Sequence, residues 1–238
     1  LVGDLFSYDE FKTAFDTILG GAGIESYSLS RFDMRFDSFD PEHYRDYAKL
    51  NRYLISALAV TYNVQNCYDS RNLFSQKQLS VAIKNKRFEC ENYDKEAESG
   101  GRDPAYARLE LRSKCLTSND IEKQFHGWYI RLDKALKNLD KVHQRYNDEL
   151  EKIYKEEKDA FPVKFRSLTD FLIQYQNCIF CKAQMIDLLS RFDEVKNPET
   201  RAKNHKKRYG IEYFSKMDVE YAVAEIKRAA EKFFEGTE

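Results

Sequence analysis

The residues in this chain that could do chemistry together lie in three short segments whose charged and apolar side chains alternate. They read S-R-F-D-M-R-F-D from Ser30 to Asp37, R-F-E-C-E-N-Y-D-K from Arg87 to Lys95, and A-Y-A-R-L-E-L-R-S-K from Ala105 to Lys114. Successive side chains of a strand point to opposite faces. Asp33, Arg35 and Asp37 therefore share one face and Phe32, Met34 and Phe36 the other. In the second segment Glu89, Glu91 and Tyr93 oppose Phe88 and Cys90; in the third Tyr106, Arg108, Glu110 and Arg112 oppose Ala107, Leu109 and Leu111. In one antiparallel sheet, these strands make a core wall on one face and a surface of carboxylates, arginines and a tyrosine on the other. Such a surface suits phosphate chemistry. Hard divalent cations take oxygen ligands, often only one or two from the protein. Asp33, Asp37 and Glu110 are the candidate ligands for Mg²⁺ or Mn²⁺.

Tyr93 is the candidate nucleophile, with Lys95 two residues on and Arg108 on the next strand as candidate catalytic neighbours. A phenol with a pKa of roughly 10 is a poor nucleophile unless a cation or metal favours its phenolate. The same residues have a plainer use. The acids could pair with Arg31, Arg35, Arg108 and Arg112 as an exposed charged face, and Tyr93 could be an ordinary strand aromatic, one of 16 tyrosines.

The other constellations point less far. Cys178 and Cys181 form a C-x-x-C inside an apolar helical run with no second pair, which favours core packing over zinc or redox work. His43, His126, His143 and His205 are scattered, and no two form a ligand pair. There is no Walker loop, dinucleotide glycine motif or nucleophile elbow, so nothing in the chain equips it to hydrolyse ATP. Basic residues gather between Lys196 and Arg208, where Arg201, Lys203, Lys206, Lys207 and Arg208 are candidates to grip a DNA backbone; Lys84, Lys86 and Arg87, at a hairpin turn, are further ones. A solvated loop and helix face is the plainer account of the same charges.

These residues need elements to position them. Ser7 and Glu10 make a capping box for an opening helix through Leu19, stopped at Gly20 and Gly21. After the first strand, Tyr44, Tyr47, Leu50, Leu54, Ala57 and Leu58 mark a helix to about Tyr62. Leu79, Val81 and Ile83 alternate into a hairpin at Asn85 and Lys86, and the polar stretch Glu96 to Asp103 links the second segment to the third. From Ile121 to Ile153 an apolar stripe in steps of three and four predicts one long helix over 118–159, ended by Pro162. Ser167 and Asp170 open another helix carrying Phe171 to Leu189, and Ser215 and Asp218 open the last. The predicted fold is α+β: an antiparallel sheet with flanking helices at 1–117, then an all-helical domain at 118–238.

At 238 residues the chain is long enough to bury a real core, and a net charge of −1 argues against indiscriminate coating of nucleic acid. No apolar run reaches membrane-span length, and five cysteines without framework spacing imply a reducing cytoplasm. The start at Leu1 without methionine reads as a fragment or a processed product.

The order of the three segments resembles the rolling-circle replication initiators and conjugative relaxases of Gram-positive plasmids, phages and integrative elements. In that group an R-x-D-hydrophobic strand precedes a helix, a strand ending in Y-x-K, and a strand reading R-hydrophobic-E-hydrophobic-R. Here those are R-F-D-M-R-F-D at 31–37, Y-D-K at 93–95 and R-L-E-L-R at 108–112, within a resemblance covering about 26–115. The resemblance implies a nuclease-like catalytic domain that nicks and rejoins one strand of origin DNA, single-stranded or extruded. It also implies Tyr93 as the nucleophile joined to a 5′ phosphate, Asp33 and Glu110 near a metal, and Lys95 near the phosphate. The helices of the second half would recognise DNA, pair with a second copy of the chain or contact a host helicase. The paired-histidine metal motif of the wider superfamily is absent, which puts metal dependence in doubt. Two rivals stand beside this: a noncatalytic DNA-binding replication accessory protein, expected to bury Tyr93 and pair its acids with arginines, and a protein-interaction module built on the 118–159 helix.

Overall fold

Alternation in the three segments produces strands, as their periodicity requires, and a fourth strand joins them. The computed structural model describes residues 7–38, 42–64, 80–102, 106–158, 160, 162 and 164–235. Its strands are β1 (Arg31–Ser38), β2 (Val81–Lys84), β3 (Phe88–Asp94) and β4 (Ala107–Lys114). They form one antiparallel sheet in the order β1-β4-β3-β2. The fold is α+β, and most of it is helical. Asn85 closes the β2–β3 hairpin: its backbone N–H donates to Phe88 O, and its side-chain oxygen accepts from Arg87 N and Phe88 N. Leu79 lies outside the described residues.

Helix α1 (Tyr8–Gly21) starts with the capping box, Ser7 accepting from Glu10 N while Glu10 accepts from Ser7 N. It packs through Tyr8 and Phe11 on Phe233 of α9 (Lys216–Glu235). Helix α2 (Tyr44–Tyr62) is the centre of the molecule. Arg52 through Ala59 are all buried, because the helix touches strands β2, β3 and β4 on one side and helices on the other. A helix enclosed in this way needs its few polar groups satisfied. Ser56 Oγ accordingly meets Tyr146 Oη at 2.6 Å, and Arg52 donates to Cys178 Sγ at 3.3 Å. Asn63 ends α2 in the left-handed conformation, φ 49°, one of the few non-glycine residues at home there.

The apolar stripe from Ile121 is carried by two helices rather than one, α4 (Ile121–Leu136) and α5 (Leu139–Lys158). The break falls at Lys137 and Asn138, where the Asn138 carboxamide donates to Lys134 O and to Thr61 Oγ1 on α2. Trp128 of α4 is fully buried; it stacks edge-on against Phe88 and donates its indole N–H to Ser113 Oγ of β4 at 3.0 Å. The helix predicted to run on from Ser167 is likewise divided into α6 (Leu168–Gln174), a 3₁₀ turn (Gln176–Cys178) and α7 (Lys182–Ser190). Cys181 caps α7 by accepting from Gln184 N, and Cys178 is buried, so both cysteines serve the helical core. The stretch after Tyr93 holds a short helix, α3 (Lys95–Ser99), and the basic run is α8 (Pro198–Tyr209). One hydrophobic cluster joins Met34, Leu109 and Leu111 of the sheet to Trp128, Leu150, Phe171 and Leu188 of the helices. Among the described residues no helix is long and apolar enough to cross a membrane.

Burial holds two histidines below their usual pKa: His205, beside the Tyr209 ring and near Arg201, and His143, against Tyr53 Oη. The unfolded chain therefore binds more protons near and below pH 6.5, so their contribution is full above that value and is lost as pH falls. Urea midpoints are expected to drop between pH 7.5 and pH 5.5. A His143→Gln/His205→Gln protein should show a smaller drop; an equal one would remove the histidines as its cause.

Candidate active site on the polar face of the sheet

The strand register turns the alternation into rows. On the face away from α2, Asp37, Arg108 and Tyr93 stand side by side; next come Arg35, Glu110 and Glu91; then Asp33, Arg112 and Glu89. Lys84 pairs with Glu89 and extends the third row onto β2. The three segments thus share one polar face.

Arg108 grips Asp37 with a two-pronged contact, Nε to Oδ1 at 2.6 Å and Nη2 to Oδ2 at 2.7 Å, and its Nη2 also donates to Tyr106 Oη. Such forks are the strong form of ion pair, and the Asp37 contact raises the Arg108 pKa further. Arg112 is the hub of the other rows. It donates to Glu89 at 2.7 Å, to Glu91 at 3.1 Å and to Glu110, and it approaches Asp33 at 3.6 Å. Asp33 is also held by Arg31, and Glu89 by Lys114. Among the described residues Arg35, exposed and opposite Glu110, makes no ion pair.

The three candidate ligands do not come together. Asp33 and Asp37 are four residues apart on one strand, about 13 Å at the usual rise, with Glu110 across from the position midway between them. One ion cannot take both aspartates, and no group of three His, Cys, Asp or Glu able to hold a metal exists among the described residues. The residues as placed do not fit a three-carboxylate centre.

Tyr93 is better provided for. Its hydroxyl donates to Glu110 Oε1 at 2.5 Å, while the other Glu110 oxygen accepts from Arg112. The Arg108 guanidinium lies 5.9 Å and Lys95 Nζ 5.7 Å from the ring centroid. Lys95 begins α3 and is ion-paired with Glu98. Tyr93 is only 7% exposed. Burial first, then the bond to Glu110, push its pKa up to about 12, against a smaller opposite pull from Arg108. At neutral pH Tyr93 is therefore a neutral phenol aimed at a carboxylate, the donor–acceptor geometry of a nucleophile with its base. Sequence reasoning found the tyrosine and the acid but gave them separate jobs. Their register, Glu110 standing two residues along β4 from Arg108, the partner of Tyr93, joins them diagonally across the two strands.

The basic candidates fall in two places. Lys84, Lys86 and Arg87 are exposed at the β2–β3 hairpin. On α8, Lys203, Lys206, Lys207 and Arg208 are exposed, Lys206 is paired with Glu212, and Arg201 donates to Thr169 Oγ1. A groove of about 770 Å³ runs along α8 and contains Arg201, Lys207 and Arg208.

Compared with models of known protein families, with curated proteins and with solved structures, the chain matches none.

Proposed function

We propose that the protein is a replication initiator or relaxase with a nuclease-like sheet domain, which nicks and rejoins one strand of origin DNA through Tyr93. The hydrogen bond from Tyr93 Oη to Glu110 carries this reading, with Arg108 and Lys95 close enough to face a phosphate. In the cleavage step the Tyr93 Oη–phosphorus bond forms and the bond from phosphorus to the 3′ oxygen breaks. The phenolic proton passes to Glu110, and the 3′ oxygen leaves as a hydroxyl after taking a proton from solvent. Rejoining is the reverse, so the tyrosyl phosphodiester conserves the energy of the cut bond. Lys84, Lys86, Arg87 and the α8 cations hold the flanking backbone, and the helical layer is the surface for a host helicase or a second copy in the cytoplasm.

The noncatalytic accessory reading has its own support: Tyr93 is nearly buried, and Asp33, Asp37 and Glu110 are all engaged by arginines. Incubation with a randomised pool of single-stranded oligonucleotides, with and without Mn²⁺, separates the two on a denaturing gel. A protein–DNA band that survives denaturation is expected. DNA binding without that band would favour the accessory protein.

A further inference from the structure

At the end of the sheet remote from Tyr93, a groove of about 380 Å³ lies between the β2–β3 hairpin and α4. Its cations are Arg87 of the hairpin and Arg131 and Lys134 of α4. Arg131 is fixed in place: its guanidinium sits 5.2 Å from the Trp128 ring centroid and 5.6 Å from that of Phe88. Gly127 makes the room, since a Cβ there would stand 3.2 Å from Arg131 Nη1. A guanidinium held close to two aromatic rings can still turn N–H groups to something else.

Among the described residues no ion pair serves any of the three cations. The polar sheet face is the contrast, where nearly every arginine has a carboxylate. Burial above all lowers the Arg131 pKa, with Tyr62 pulling the other way and the neighbouring Arg87 adding a smaller push down. Two arginines and a lysine converging on one groove without an acid are equipped for an anion with several oxygens.

We infer that this groove is a second phosphate-binding site, which holds nucleic-acid backbone away from the reacting tyrosine. The choice of DNA rests on the function proposed above. Phe88 is five residues from Tyr93 on β3, about 17 Å, and its side chain lies on the opposite face. Lys84 on the polar face, Lys86 and Arg87 in the turn, and Arg131 and Lys134 beyond it mark a path around the sheet end. A strand following that path would be anchored outside the site of cleavage.

The test is equilibrium binding of a fluorescent single-stranded 30-mer, followed by anisotropy over a range of salt. Arg87→Gln/Lys134→Gln changes two exposed side chains and leaves Arg131 in place. It is expected to weaken binding roughly tenfold and to flatten the log–log salt dependence by about 1.4, the loss of two phosphate contacts on a single strand. Lys141→Gln/Lys152→Gln removes the same charge from exposed positions on α5 and should leave both quantities near wild type. Unchanged affinity in the first protein, an equal loss in the second, or no binding by the wild-type chain would each overturn the site. Because the readout is binding, a chain that holds DNA but never forms an adduct would lose the tyrosine reading and keep the groove.

Discussion

A Tyr93→Phe protein is expected to form no covalent DNA adduct while folding as the wild type does. The substitution removes one oxygen and nothing else. The ring keeps its place between Arg108 and Lys95, and Glu110 keeps its contact with Arg112. The lost hydrogen bond should cost about 1 kcal/mol of stability, within the usual range for such a bond and too little to unfold a domain. Loss of the adduct would then be a chemical loss. A thermal melt within a few degrees of wild type checks the fold, and the denaturing gel checks the chemistry. An adduct of wild-type intensity from this variant would remove Tyr93 from the mechanism.

Glu110→Gln should slow adduct formation by about 10²–10⁴, the usual contribution of a positioned base. Glutamine offers one acceptor oxygen to the two donors, Tyr93 Oη and Arg112, that the carboxylate serves with two, and it cannot take the proton. Only preformed phenolate can then react. Burial, the larger cause of the raised Tyr93 pKa, remains in the variant and keeps it above the ordinary value of about 10; only the contribution of the Glu110 contact is lost. Below its pKa, the phenolate fraction rises tenfold per pH unit. The variant's rate should therefore climb about tenfold per unit between pH 7 and 9, while the wild-type rate stays nearly flat over the same interval. Rates measured by quenched gel assay decide it: a variant within a few-fold of wild type, or one equally flat, would mean that Glu110 is not the base.

The sheet was legible from residues alone because strand alternation has a strict period and a one-residue slip would turn every side chain over. Met34, Leu109 and Leu111 are buried on one face, and Arg35, Glu110 and Arg112 stand on the other, as their spacing requires. Sharing a face is not sharing a site. Asp33 and Asp37 satisfy the alternation and are still too far apart for one ion, a distance that the four-residue spacing on a strand already contains. The pairing of acids with arginines depends on which residues the register places side by side, and the sequence does not state a register. Helix breaks were hidden for a different reason. The stripe Leu132, Leu136, Leu139 and Val142 keeps helical steps straight through Lys137 and Asn138, so its periodicity cannot register a break stabilised by Asn138 bonding to Thr61 on another helix. Arg131 and Lys134 lie within that stripe region, where periodicity speaks only for packing, yet Gly127, Arg131 and Lys134 stand at helical spacing on one face. A glycine one turn before an arginine, on the face that also carries a lysine, was the available signal.

Mapping the attachment point of a DNA adduct tests the central claim most directly. After reaction with the oligonucleotide pool, nuclease trimming and trypsin digestion, cleavage at Arg87 and Lys95 releases Phe88–Lys95, in which Tyr93 is the sole tyrosine. A nucleotide phosphate on that peptide, with fragmentation locating it on Tyr93, is the predicted result. An adduct located on any other tyrosine, or DNA held by the native protein with no adduct on any peptide, would contradict it.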